Sequence, residues 1–245
     1  MYWIDLNCDV GEGVGNEAAL FPHISSCSIA CGGHAGDAGT MKRISEQAIA
    51  AGVRIGAHPS YPDRANFGRV SINMDPASLQ ASVATQISAL QAVLEPLGAS
   101  LHHVKAHGAL YNDLAPGGPL AGAYLDVLEQ FGGSMRVYAP CGSRFAEMAA
   151  ARHFDVWEES FADRAYHRDG RLVSRRKDGA LLTDPVAIAD RVKQMVIHGQ
   201  VRTVEGTDYP LQAKTCCLHG DTPNAEEILA YLVAALAEDA IFVRK

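Results

Sequence analysis

Short apolar runs that end in charged or polar side chains recur along the chain, and this recurrence constrains the fold more than any other feature. The first run is IDLNCDVGEG at residues 4–13. The others are SIACGGHAGD (28–37), RIGAHPSYPDR (54–64), HHVKAHGALYND (102–113) and TCCLHGD (215–221). In parallel α/β proteins, the side chains that do chemistry gather where successive strands end. The sequence therefore predicts a parallel sheet whose strand ends form the functional site.

Helical stretches separate these runs. After Asp75-Pro76, apolar residues recur with the helical period of about 3.6, which predicts a helix with proline in its first turn. The predicted strands are 3–8, 27–31, 53–57, 101–105, 135–139, 155–161 and 215–218. Strands that alternate with helices indicate parallel pairing.

The alternation repeats seven times without a linker or an internal repeat, which predicts a single domain over residues 1–245. Candidate site residues at many strand ends favour a TIM-like β/α barrel with seven strands. In the alternative, a doubly wound open sheet, they would concentrate at one switch point. Residues 164–183 are predicted to be an inserted hairpin that turns at Asp169-Gly170. The helix at 120–131 is predicted to end at Gly132-Gly133.

Charge and composition exclude several classes of partner. The formal net charge is −7 with no basic footprint, which disfavours nucleic acid and anionic membranes as partners. No segment is long and apolar enough to span a bilayer. The six cysteines form no CxxC pair, which disfavours a zinc ribbon and indicates a reducing cytoplasm without structural disulfides.

The first run places acceptor side chains on one face of a strand. Asp5, Asn7 and Asp9 alternate, so they point in the same direction, and Glu12 follows in the loop. They could bind a metal, orient a histidine, or act as acid or base. The alternative is that the acids cap neighbouring loops. Function is favoured because buried acceptors need partners.

The second and third runs add histidines next to backbone-constraining residues. His34 and Asp37 follow a Gly-Gly turn that permits close approach of a ligand, although a structural hydrogen bond explains a lone histidine equally well. His58 precedes a proline. Asp63-Arg64 follow in the same loop, where arginine could bind a carboxylate or phosphate or simply tie down the loop.

The fourth run contains a lysine inside an apolar strand. Lys105 and His107 alternate and so share one face. Lysine is rarely buried for packing alone, so Lys105 is expected to stabilise a developing oxyanion or a phosphate. Tyr111 and Asn112 could hydrogen-bond a substrate or cap the next helix. The later strands complete the ring of candidates with Asp163, Arg164, His219 and Asp221.

Two common catalytic devices are absent from the sequence. There is no GxxxxGK[ST] motif, and none of the six lysines follows a glycine. ATP, if used, is therefore bound unconventionally or by a partner chain. There is also no GxSxG nucleophile elbow. The cysteines are interpreted as buried core residues, because nothing in the sequence indicates a lowered thiol pKa.

Six motifs in order, DLNCDVGEG, ACGGHAGD, GAHPSYPDRANFGR, VKAHGALYND, FADRAY and CCLHGD, resemble the LamB/YcsF family over nearly the whole chain. The resemblance implies a seven-stranded β/α barrel related in shape to certain deacetylases and glycoside hydrolases. It implies an activity that opens the lactam of 5-oxoproline to L-glutamate, coupled to ATP hydrolysis, and partner subunits B and C.

Combined with the resemblance, the candidate residues divide into two sets. The expected catalytic residues are Asp9, His34, Lys105, His107 and His219. The expected substrate-binding residues are Asn7, Glu12, Asp37, His58, Asp63, Arg64, Tyr111, Asn112, Asp163, Arg164 and Asp221. Two positions depart from the family pattern. Ala106 replaces a usual proline, with only a backbone effect expected, and Gly33 replaces a frequent phenylalanine, which is expected to leave the pocket floor looser.

Two other functions fit the same residues. One is a metal-dependent amide or ester hydrolase of the deacetylase type, with acids and histidines on a divalent ion. The other is a non-catalytic ligand-binding subunit. Metal analysis would distinguish a metal-dependent hydrolase from an ATP-coupled lactam hydrolase. Activity assays with and without partner subunits would show whether the chain is instead a non-catalytic binding subunit.

Overall fold

The structure, a computed structural model, describes residues 1–132 and 135–244. Its strands are β1 (Tyr2–Val10), β2 (Ser26–Ala30), β3 (Arg54–His58), β4 (His103–Lys105), β5 (Arg136–Pro140), β6 (Val156–Phe161), β7 (Gln200–Arg202), β8 (Asp208–Pro210), β9 (Thr215–Cys217) and β10 (Ile241–Val243). Its α-helices are α1 (Glu17–Leu20), α2 (Ala38–Ala50), α3 (Pro76–Leu94), α4 (Gly108–Leu114), α5 (Pro119–Gln130), α6 (Arg144–Ala151), α7 (Pro185–His198) and α8 (Ala225–Glu238).

Seven of these strands close into a parallel barrel, which confirms the predicted TIM-like fold. Strands β1 to β6 pair in order, β6 pairs with β9, and β9 pairs back to β1. Outside the barrel, β10 extends the sheet in parallel beside the start of β1, and β7 and β8 form a separate antiparallel ribbon. Because the sheet closes on itself with all seven strands parallel, their carboxyl ends face the same mouth.

Side-chain caps fix where several helices begin. Asp75 accepts a hydrogen bond from the Ser78 backbone N–H at 3.0 Å, and Pro76 occupies the first turn of α3. The predicted apolar stripe of α3 is almost completely buried against the barrel, through Leu79, Val83, Ile87, Leu90 and Leu94. This burial confirms the predicted helix and shows which of its faces supports the sheet.

Residues 164–183 follow β6 and pass beside the mouth. They contain two isolated antiparallel bridges, Arg164 with Leu181 and Tyr166 with Leu172, rather than continuous strands. Gly170 adopts a left-handed φ of 78° in the turn. The segment is thus a bridged loop that brings arginines towards the strand ends. Gly133, predicted to help end the helix before β5, lies outside the described residues.

Two further observations concern the cysteines and the lengths of the helices. All six cysteines are free thiols, and burial raises the pKa of Cys31 and Cys216 to about 12. No helix in the described part of the chain has the length and apolar character needed to cross a bilayer.

Candidate active site

Alternate residues of β1 form a polar column inside the barrel. Asp5 lies nearest the amino-terminal end of the strands. Its carboxylate accepts hydrogen bonds from Thr215 Oγ1 at 2.5 Å, Arg54 Nη2 at 2.6 Å and Ser26 Oγ at 2.9 Å. This set of donors compensates the burial of the charge, so Asp5 closes the lower end of the barrel.

Asn7 occupies the middle of the column and is fully buried. Its Nδ2 donates to Glu159 Oε1 at 2.8 Å and to Thr215 Oγ1 at 2.7 Å. Asn7 was expected to bind substrate, but here both amide protons are engaged inside the barrel. The amide connects β1 to β6 and β9 beneath the mouth.

Lys105 lies at the centre of the site, 2% exposed. Its Nζ lies 2.9 Å from Asp9 Oδ1, 2.9 Å from Glu159 Oε1 and 3.2 Å from Asn7 Oδ1. Burial lowers the pKa of Lys105, but the neighbouring groups Asp9, Cys217 and Glu159 together outweigh burial and hold this pKa well above its usual value. Three acceptors already surround the ammonium group, so its clearest effect is to keep Asp9 ionised.

Asp9 stands at the mouth between this lysine and His58. Its Oδ2 lies 3.3 Å from His58 Nε2. Burial raises the pKa of Asp9, but the neighbouring charges of His58 and Lys105 reverse the effect and hold it well below its usual value. Asp9 is therefore a buried carboxylate that stays charged near neutral pH.

Three histidines from different strand ends surround Glu12. Glu12 Oε1 lies 2.9 Å from His34 Nε2, 3.1 Å from His107 Nδ1 and 3.8 Å from His58 Nε2. The rings of His34 and His107 stack with centroids 3.6 Å apart, and His58 lies edge-on to both. Burial lowers the pKa of His34 to about 4, against its hydrogen bond to Glu12.

A histidine–carboxylate pair stands on the opposite side of the mouth. His219 Nδ1 lies 2.9 Å from Asp163 Oδ1, and Asp163 Oδ2 accepts hydrogen bonds from Thr222 Oγ1 at 2.5 Å and the His219 backbone N–H at 3.1 Å. His219 also stacks on Phe161. Because a carboxylate accepts the Nδ1 proton, the Nε2 of a neutral His219 is left as a base.

Arginines and an acid form the rim of the mouth. Asp221 Oδ2 lies 2.5 Å from Arg69 Nη2 and 3.1 Å from Arg175 Nη1. Asp221 was expected at the site, whereas Arg175 belongs to residues 164–183, which the sequence predicts only as an inserted hairpin. The bridged loop 164–183 instead carries Arg175 to the rim, a fold-back that the local sequence does not indicate.

Several expected substrate-binding residues have structural partners away from the barrel interior. Asp37 caps α2, Asp63 accepts from the Asn66 backbone and side chain, and Arg64 donates to the carbonyls of Gly32 and Gly36. Asn112 Nδ2 donates to Gly108 O within its own helix.

Two further expected binding residues are buried beside the site. Arg164, 8% exposed, donates to Val173 O at 2.7 Å, and burial lowers its pKa to about 10. Tyr111 is buried with its ring edge-on to Phe161. Their surroundings favour a supporting role over direct contact with a ligand.

The position of Gly33 corrects the expectation of a looser pocket floor. A Cβ on Gly33 would lie 2.3 Å from Gln86 Oε1 and 2.4 Å from Ser60 Oγ. Gln86 Oε1 also accepts from the Ser60 backbone N–H at 3.0 Å. These two side chains fill the space that the absent side chain leaves, so the floor is closely packed.

Glu159 is the main site residue that the sequence did not reveal. It is 1% exposed on β6 and contacts both Lys105 and Asn7. The same signal that identified Lys105, a charged residue inside an apolar strand, was available in VWEESF. That strand contains two adjacent glutamates, Glu158 and Glu159, and the sequence alone does not show which of them points into the barrel.

Among the described residues, two sets of side chains have ligand atoms within 4.8 Å of one another, close enough to hold a metal ion. The first is Glu12 with His34, His58 and His107. The second is Asp9, Cys217 and His219. Lys105 Nζ already lies 3.2 Å from Cys217 Sγ and 2.9 Å from Asp9, so an ammonium group supplies positive charge to the second set.

Known proteins are similar in sequence to this chain over nearly its full length. A model of the LamB/YcsF family matches residues 4–245. A protein named as the A subunit of 5-oxoprolinase, from Acinetobacter baumannii (strain ACICU), is 41% identical over 247 residues, covering 99% of this chain and 97% of the relative. One of the same name from Mycobacterium avium (strain 104) is 45% identical over 233 residues, covering 93% of this chain and 92% of the relative.

Solved structures extend the comparison. A lactam utilization protein from Thermus thermophilus superposes with a TM-score of 0.93 at 36% identity, covering 100% of this chain and 99% of that one. A family 4 carbohydrate esterase from Streptomyces lividans gives a TM-score of 0.53 at 11% identity, covering 100% of this chain and 92% of that one. At that identity the esterase shares the fold alone.

Proposed function

Since the chain belongs to the LamB/YcsF family, we propose that it is the A subunit of an ATP-dependent 5-oxoprolinase. It opens the lactam of 5-oxo-L-proline to L-glutamate, acting in the cytoplasm with subunits B and C. Relatives of that name match nearly the full length of the chain. The observation that carries the proposal is the His219–Asp163 pair, which lies beside an ionised Asp9 at the barrel mouth.

Ring opening requires an electrophile stronger than a lactam. Transfer of the γ-phosphoryl group of ATP to the lactam oxygen activates the ring carbon. Water then adds to that carbon, and the C–N bond breaks as the nitrogen takes a proton, which leaves an acyl phosphate. A second water releases phosphate and L-glutamate. The steps together use one ATP and two waters, and each needs a positioned acid or base.

His219 suits the acid–base role in these steps. The Asp163 carboxylate fixes one ring nitrogen, so the other can take a proton from water and return it to the leaving nitrogen. We assign Asp163 to orienting His219, because its oxygens already accept from His219 and Thr222. Lys105 holds Asp9 ionised, and Asp9 in turn supports charge on His58.

The rim arginines suit the carboxylate of the substrate. Arg69 and Arg175 share Asp221, and their guanidinium groups are partly exposed, at 42% and 24% of the side chain. A substrate carboxylate could replace one of these contacts with a bidentate pair. ATP is assigned to a partner chain, because the sequence has no P-loop and the interior of the mouth carries carboxylates that would repel phosphates.

The test is release of glutamate from 5-oxoproline. We expect no turnover by this chain alone, turnover when ATP and subunits B and C are added, and loss of turnover when His219→Asn replaces the native chain. Substitution of His219 removes the acid–base group, so the loss should be on the order of a hundredfold or more.

A matched control is His153→Asn. His153 is exposed after α6 with a left-handed φ of 64°, a conformation that asparagine tolerates. This variant should retain full turnover. Robust ATP-dependent turnover by the isolated chain would refute the partner assignment. Turnover without ATP would favour a simple amide hydrolase instead.

A further inference from the structure

Four potential ligand atoms converge at the mouth, each from a different segment of the chain. Around Glu12 Oε1 lie His34 Nε2 at 2.9 Å, His107 Nδ1 at 3.1 Å and His58 Nε2 at 3.8 Å, and the last two nitrogens lie 3.0 Å apart. The three histidines are at most 5% exposed. A cluster of this kind needs an explanation because its atoms are all capable of accepting a proton or a metal.

Backbone carbonyls fix the tautomers of two of these rings. His58 Nδ1 lies 2.8 Å from Lys105 O, and His107 Nε2 lies 2.9 Å from Phe67 O. A carbonyl oxygen only accepts, so both of these nitrogens carry hydrogen. In the neutral rings the lone pairs are therefore on His58 Nε2 and His107 Nδ1, and they face each other and the Glu12 carboxylate.

Such an arrangement of lone pairs and negative charge is unfavourable unless a positive species lies among them, and that species is either a proton on His58 or a metal ion. The separations between these atoms also suit ligand atoms that share one metal ion. The edges of a tetrahedron with bonds of about 2.0 Å are about 3.3 Å long. The separations of 2.9, 3.0, 3.1 and 3.8 Å lie around that value.

We propose that Glu12, His34, His58 and His107 bind one divalent transition-metal ion of the zinc class. Three imidazoles and one carboxylate suit Zn²⁺ or Co²⁺, whereas Mg²⁺ and Ca²⁺ prefer sets made of oxygen. The carbonyls behind His58 and His107 are the outer partners that metal-bound histidines ordinarily have.

The surrounding backbone holds the rings in this geometry before any ion arrives. Gly68 and Gly108 both have left-handed φ values, 61° and 60°. A Cβ on Gly68 would lie 3.0 Å from His107 Cδ2 and 3.1 Å from His34 Cβ, and one on Gly108 would lie 2.5 Å from Gly68 O. This close packing of the loop against the histidines limits the freedom that binding would otherwise remove.

Asp9 stays outside the proposed set. Its Oδ2 lies 3.3 Å from His58 Nε2, but its Oδ1 pairs with the Lys105 ammonium at 2.9 Å. The two positive centres would thus lie on either side of Asp9, the ammonium below and the metal above. The proposal does not depend on the assigned reaction, since binding is measured without substrate, ATP or partners.

The test uses the full-length chain, stripped with a chelator and then titrated with Zn²⁺ or Co²⁺. We expect about one ion per chain by elemental analysis after desalting, and tetrahedral Co²⁺ absorption bands in the visible spectrum. Glu12→Gln and His107→Gln should each weaken binding by about tenfold or more. His102→Gln, a histidine change at the amino-terminal end of β4, should bind as the native chain does.

Absence of stoichiometric binding by the native chain would overturn the proposal. So would native affinity in both ligand variants, because the ion would then lie elsewhere. Circular dichroism checks that each variant is folded. If His107→Gln does not fold, Glu12→Gln decides the matter, since Glu12 lies in a loop and not in a barrel strand.

Discussion

Replacing Lys105 with methionine should destabilise the barrel as well as disable it. The side chains have similar length, so packing is largely kept. The loss is the ammonium group, which lies 2.9 Å from both Asp9 Oδ1 and Glu159 Oε1. Removing one partner of a buried ion pair costs about 3–5 kcal/mol because the other charge stays buried. Against a typical total of about 5–15 kcal/mol, that loss is large.

A second substitution tests whether the lost free energy of unfolding comes from the carboxylates that Lys105→Met leaves unpaired. Glu159→Gln on the Lys105→Met background restores the net charge of the interior, and the amide oxygen can still accept from Asn7. We expect the double variant to recover about 2 kcal/mol of the free energy of unfolding. The assay is urea unfolding at pH 7, monitored by circular dichroism.

The pH dependence of the Lys105→Met deficit has a definite sign. The pKa of Asp9 is depressed in the folded chain, so its contribution is present above the unfolded value, about 3.9, and is lost as pH falls through the folded value. The difference between native and Lys105→Met chains should therefore be largest above pH ~5 and should shrink below pH ~4. Lys214→Met, on the surface, is the control and should change stability by less than about 1 kcal/mol.

Two results would refute this reasoning. The first is a Lys105→Met chain as stable as the native one, since Asp9 and Glu159 would then not need the ammonium. The second is a double variant no more stable than the single one, since the cost would then not arise from unpaired charge.

Three further predictions concern other parts of the molecule. Asp163→Asn should lower glutamate release on the order of a hundredfold or more while the chain stays folded, because His219 loses the carboxylate that orients it. Burial lowers the pKa of His102 to about 3, so this residue makes the native chain lose stability as pH falls from 6.5 towards 3. His102→Gln should remove about 1 kcal/mol of the loss between pH 6.5 and 5 in urea unfolding, a figure that allows for solvent screening of the partly exposed ring. Gly33→Ala should cost about 1–3 kcal/mol by overpacking. By contrast, Gly122→Ala within α5, where the nearest atom to the added Cβ is Arg152 Nη2 at 3.8 Å, should be neutral or stabilising.

The architecture could be predicted from the sequence because its signals are local. Each barrel strand is a short apolar run, each helix has its period and several have a capping acid or proline, and seven alternations favour closure over an open sheet. The convergence of Asp9, Lys105 and His219 follows from the same alternation, because parallel strands place their carboxyl ends at one mouth.

The hydrogen-bond and ion-pair partners of each side chain depend on strand register and on the path of the loops, and neither is encoded in the neighbouring residues of the sequence. Glu158 and Glu159 are adjacent in the sequence. Glu159 lies opposite Thr215 of β9 and faces the interior, while Glu158 accepts from the Gly142 backbone outside. Arg175 and Arg164 belong to one bridged loop, yet the loop's path leaves Arg175 at the rim and buries Arg164. A single sequence contains no signal for either choice.

The polar column also links stability to activity in this barrel. Asp5 is balanced by Arg54 below, and Asp9 with Glu159 by Lys105 above, so the neutral amide of Asn7 separates two layers that each hold buried charge. A fourth carboxylate, at position 7, would face Glu159 at the 2.8 Å now spanned by a hydrogen bond. The single Lys105 ammonium would then lie beside three carboxylates, those of Asp9, Glu159 and position 7. The interior therefore tolerates exchanges that conserve charge and resists those that change it. Loss of activity after a charge-changing substitution at the mouth can thus be assigned to chemistry only when the free energy of unfolding of the same variant is known.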